Sequence, residues 1–71
     1  MDETKVYVKF GERVKELRTR QGFTQEQFSY QCDINRTYMG AIERGEKCPS
    51  LLTITKIAKG LNISLKELFD Y

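Results

Sequence analysis

The sequence contains no histidine and only two cysteines, Cys32 and Cys48, which form no CxxC pair. A structural zinc ion takes about four nitrogen or sulfur ligands, so no metal site is expected. Without histidine, a nucleophile–base pair or a glycine loop able to cradle phosphate, catalysis is not expected either, and neither is a cofactor or a small-molecule ligand. No apolar run approaches the ~18 residues of a membrane-spanning helix. The opening MDETKVYVKF has acidic residues and no apolar core of the kind a secretion signal carries. A cytoplasmic chain with reduced thiols is therefore expected, Cys32 partly buried and Cys48 in a loop. Proline occurs once, at Pro49, and punctuates a loop. Period-two alternation is also missing: VYV at 6–8 is the only candidate strand and reads more economically as the first turn of a helix.

What is present belongs to a small folded protein. The composition is 39% hydrophobic and 31% charged over 71 residues, which fits one soluble domain spanning 1–71. A chain of this size buries only about 60% of its unfolded surface, so every element must share one core. The net charge of +2 is a weak pull on an anionic partner. Apolar residues recur at helical spacing: Phe10, Val14 and Leu17; Phe28; Met39 and Ile42; Ile54, Ile57, Ala58 and Leu61; Leu65, Leu68 and Phe69.

Helix starts repeat one local grammar. Thr24 can cap a helix with Gln27 as its capping-box partner, and Phe23 can staple to Phe28. Asn35 can cap the next, with Ile34 stapling to Met39, and Ser64 the last, with Glu67 as box partner and Ile63 stapling to Leu68. Gly22, Gly45 and Gly60 sit where helices should stop in a left-handed residue. The expected map is all-α, five helices at about 5–21, 25–32, 36–44, 50–59 and 65–70.

Between the second and third of these lie only Cys32 to Asn35, the short turn of a helix-turn-helix, whose second helix is the one presented to a DNA major groove. That helix would be NRTYMGAIERGE, 35–46. Projected at about 100° per residue, Met39, Ile42 and Glu43 face the core. Thr37, Gly40, Ala41 and Arg44 face outward, with Arg36 and Tyr38 flanking the exposed start. Gly40 weakens a helix by roughly 1 kcal/mol relative to alanine, which a close backbone approach to a groove could offset. Packing of another helix of the same chain at Gly40, and a C-terminal dipole role for Arg44, are the structural alternatives.

The sequence VKELRxxxGFTQEQF, followed by NRTYMGAIERGE and then PSLLTITKIAKGLNISLKELF, resembles the helix-turn-helix family of phage repressors and Cro proteins, often named Xre. Within it, RTY followed by IERG and PSL is most similar to the controller proteins of restriction-modification systems. The resemblance covers about residues 9–70 and implies a compact lambda-repressor-like bundle. It implies a DNA-contacting set of Gln25, Asn35, Arg36, Thr37, Tyr38, Gly40, Arg44 and Lys47. In this set Gln25 would meet a phosphate, Arg36 a guanine edge, and Arg44 and Lys47 phosphate or minor groove. Arg18 and Glu43 would form an internal ion pair. Two positions depart from the family: Ser29 stands where alanine is usual, and Ala41 where many relatives carry a longer polar side chain.

The resemblance further implies a homodimer on a palindromic operator with half-sites about 34 Å apart. The expected dimer surface is Leu65, Phe69 and Tyr71, with Leu68 turned inward. Such a protein regulates its own gene and that of a neighbouring endonuclease, and RNA polymerase is a further expected partner. An antitoxin or phage-type repressor that also binds a protein partner is the alternative.

Overall fold

Each cap forecast by the sequence closes a helix end. In the computed structural model, which describes residues 2–71, α1 spans Glu3–Arg20, α2 Gln25–Cys32, α3 Arg36–Glu43, α4 Leu51–Leu61 and α5 Leu65–Leu68. No strand occurs among the described residues, and VYV lies inside α1. Met1, the first residue of the expected domain, lies outside them. Thr24 Oγ1 accepts from the Gln27 N–H at 3.1 Å while the Thr24 N–H donates to Gln27 Oε1 at 2.9 Å, a complete capping box. Asn35 Oδ1 accepts from the Thr37 and Tyr38 amides. Ser50 and Ser64 accept from Thr53 and Glu67 respectively. At Ser64 the described bonds comprise only this amide half of the box.

Helix stops share a second motif. After α1, α2, α3 and α4, a left-handed residue donates its N–H to one carbonyl of the last turn, and the following residue donates to the carbonyl one position earlier. The left-handed residues are Gly22, Asp33, Gly45 and Asn62. Gly60 was expected to end α4; instead the helix runs through it to Leu61, and Asn62 makes the turn at φ 58°. Gly60 serves close packing, since a Cβ there would overlap Cys32 Sγ. In three of these stops the residue after the left-handed one, Phe23, Ile34 or Ile63, packs on the core and directly precedes the next cap. One residue thus closes one helix through its N–H and anchors the start of the next through its apolar side chain, Phe23 against Phe28 itself.

The core is filled from all five helices by Phe10, Val14, Leu17, Phe28, Cys32, Met39, Ile42, Ile57, Ala58, Leu61 and Leu68. Full burial of an aliphatic or aromatic side chain contributes about 1.5–3 kcal/mol, so this set carries most of the favourable energy. Its geometry depends on Gly11, in the middle of α1: a Cβ there would overlap the carbonyl oxygens of Ile42 and Glu43. The glycine lets the end of α3 lie directly on α1. Arg13 ties α5 down, donating from Nε to Leu68 O at 3.2 Å and from Nη2 to Glu67 O at 2.8 Å, a cation on a helix C-terminus.

Candidate nucleic-acid interface

The site is built from the first turn of α2 and the outer side of α3, joined by a turn of Asp33, Ile34 and Asn35. Asp33 is left-handed at φ 56°, which turns the chain sharply enough for Asn35 to cap α3 at once. Beneath the site lies a buried ion pair. Arg18 donates from Nε to Glu43 Oε2 at 2.7 Å and from Nη2 to Oε1 at 3.0 Å, and its Nη1 reaches Phe23 O at 2.8 Å. Gln25 Nε2 donates to the same Glu43 Oε1 at 3.2 Å. One carboxylate therefore fixes α1, α3 and the first side chain of α2 together, and the back-bond from Ser29 Oγ to Gln25 O at 2.7 Å holds that turn from below.

Gln25, Arg36, Thr37, Gly40 and Arg44 line one open hollow on this face. Gly40 is its floor: a Cβ there would stand 3.0 Å from Arg44 Nη1 and 3.3 Å from Gln25 Oε1. The helical projection set Gly40 and Ala41 outward, yet both are buried in the free chain. The reason at Gly40 is that two long side chains fold over it, which angle alone does not show. Of the remaining sequence candidates, Asn35 spends its side-chain oxygen on the cap, Tyr38 is half-buried against the core, and Lys47 is exposed in the loop after α3.

Two residues of the site escaped the sequence reading. Glu26 lies 3.5 Å from Arg36 Nη1, and Glu46 takes Nε and Nη2 of Arg44 at 3.0 and 3.1 Å. These bonds hold the Glu46 carboxyl below its usual range, with Lys47 adding to the effect, and raise the Arg44 guanidinium further. The proximity of Glu46 to Arg44 in sequence was the available signal. The left-handed Gly45 between them, at φ 74°, folds the chain back and brings the pair together.

Two short helices joined by a tight turn, the second bearing an outward face with two arginines, define a helix-turn-helix protein. The helix-turn-helix family model matches residues 14–68, and the chain belongs to that family. It is similar to the control protein C.MunI of Mycoplasma sp, 42% identical over 66 residues that cover 92% of this chain and 89% of the relative. Among solved structures, the restriction-modification controller protein C.AhdI of Aeromonas hydrophila matches with a TM-score of 0.88 and 43% identity, covering 92% of this chain and 98% of that one. The controller protein C.Esp1396I, solved as a tetramer in complex with its natural 35 base-pair operator, matches with a TM-score of 0.84 and 31% identity over 90% of this chain and 84% of that one. None of the helices in the described residues is long and apolar enough to cross a membrane.

Proposed function

We propose that this chain is a sequence-specific double-stranded DNA-binding transcription regulator, a homodimer on a palindromic operator that controls its own gene and a neighbouring restriction endonuclease gene. The observation that carries this reading is the hollow of Gln25, Arg36, Thr37, Gly40 and Arg44, held rigid from below by Arg18 and Glu43. In this reading the free amides at the start of α2 and Gln25 take a phosphate, Arg36 and Thr37 enter the major groove, and Arg44 and Lys47 meet the flanking backbone. The operator complex of the controller protein C.Esp1396I supports the DNA-binding reading.

A single domain of this size reads one half-site, and two copies give the symmetry of a palindrome. Support for pairing comes from the C-terminal end, where Leu65, Phe69 and Tyr71 are exposed while Leu68 is fully buried. Phe69 stacks on Phe10 at 5.5 Å between ring centroids, and with Tyr71 it borders an apolar groove that includes Val6, Pro49 and Ile54. A second copy is the occupant this reading gives that face. Occupancy then depends on the protein's own concentration, and RNA polymerase is the partner through which bound dimers would act.

Selection of bound duplexes from a random DNA pool, repeated at two salt concentrations, tests the proposal. The expected result is a palindromic consensus with half-sites one helical turn apart, weakening steeply with salt. No enrichment even at low salt would overturn it and point to a protein partner instead.

A further inference from the structure

The two arginines of the hollow differ from buried Arg18 in how they are paired. Arg44 donates two bonds to Glu46, and Arg36 faces Glu26, yet all four side chains are more than half exposed. Exposed pairs of this kind contribute little to folding. Their effect falls on the surface charge instead. Each places a carboxylate on the face that, under the proposed function, meets a polyanion.

We propose that Glu26 and Glu46 attenuate DNA affinity: they occupy the reading arginines in the free protein and surrender them to phosphate or base only on binding. The inference rests on the DNA-binding reading and adds a regulatory device to it. Affinity for duplex DNA comes largely from counterions released as cations neutralise phosphates. A guanidinium already neutralised by a neighbouring carboxylate releases fewer, and the carboxylate itself is repelled by the backbone. The loss at Arg44 falls on every duplex alike, so a single copy is held to weak binding and occupancy requires the second copy. Glu46 has the larger share, because it binds Arg44 through two nitrogens and is also drawn toward Lys47.

The test is fluorescence anisotropy across a salt series, with a short random-sequence duplex and with the operator duplex recovered by selection. The variants are Glu46→Gln, Glu26→Gln and, as a control for net charge, Glu12→Gln, whose residue lines a different hollow with Lys9 and Tyr71. Glu46→Gln, which frees the phosphate-facing Arg44, should steepen the slope of log K against log salt by about 0.9, which tightens binding at 0.1 M salt by up to about eightfold on both duplexes. Glu26→Gln, which frees Arg36 for a base edge, should instead tighten the operator duplex more than the random one. Glu12→Gln should change neither. Parental slopes and affinities in Glu46→Gln and Glu26→Gln would overturn the inference while leaving DNA binding intact. Weaker operator binding by Glu46→Gln would overturn it too, and would make Glu46 a residue that orients Arg44. If the parent binds neither duplex, the proposed function fails and this inference fails with it.

Discussion

Removing the Glu43 carboxylate should cost about 3–5 kcal/mol, because it leaves the Arg18 charge buried without its partner. Glu43 receives three hydrogen bonds, two from Arg18 and one from Gln25, and the side chains of the ion pair are only 10% and 3% exposed for Arg18 and Glu43. In Glu43→Ala, Arg18 keeps only its bond to Phe23 O, and water has little access to replace the others. A domain of this length has a total stability of about 4–11 kcal/mol, so the loss runs from about a quarter of it to all of it. With a urea dependence of about 1 kcal/mol per molar, the unfolding midpoint should fall by about 3 M or more. Far-UV circular dichroism in a urea titration reads this directly in an all-helical protein. The double variant Arg18→Met with Glu43→Leu should recover most of the loss, since it removes the stranded charge and fills the space. A cost below about 1 kcal/mol for Glu43→Ala, or a double variant no more stable than the single, would refute the argument that burial of the charge sets the penalty.

Gly11→Ala should destabilise by about 1–3 kcal/mol despite the better helix propensity of alanine, because its Cβ would push α3 off α1. Thermal unfolding checks it, and an unchanged midpoint would mean that the two helices can part freely. Arg36→Ala should cost about 1–3 kcal/mol in operator binding and relax preference at one base pair per half-site, whereas Arg44→Ala should weaken all duplexes alike and flatten the salt slope. Burial pushes the Cys32 thiol up to about 12 from its ordinary value of 9.0, while Cys48 is exposed. The unfolded thiol ionises first, so the stability gained by keeping Cys32 neutral is whole below pH 9 and is lost as pH rises toward 12, as urea titrations at alkaline pH should show. Thiol titration with a chromogenic disulfide should accordingly find one fast group in the folded chain and two in denaturant. Phe69→Glu should shift sedimentation from dimer to monomer, and an unchanged dimer would move the interface elsewhere.

Local chemistry was the legible part. The caps at Thr24, Asn35 and Ser64 depend on residues within three positions of each other, so their spacing in the sequence is their geometry. Gly60 was misread because a glycine near a helix end suits either a left-handed stop or a close approach, and the choice is made by Cys32, which reaches it from another helix. Gly11 raised no expectation for the same reason: the carbonyls it admits lie in α3, more than thirty positions away. The outer face of α3 was legible as an arc but not as a surface, because Gln25 and Arg44 fold over Gly40. Glu26 meets Arg36 across the turn between α2 and α3, a pairing that exists only once that turn has formed.

The residues that close one helix and directly precede the next cap leave no slack in three of the four connections between helices. An extra residue beside Phe23, Ile34 or Ile63 would part the stop from the cap and undo two helix ends at once. The connection from α3 to α4 is different, because Glu46 follows the left-handed glycine there and several residues separate it from the Ser50 cap. Length variation in proteins built on this plan should therefore gather between residues 46 and 50, beside Arg44, where under the proposed function the chain would change its contacts to DNA without disturbing the way it folds.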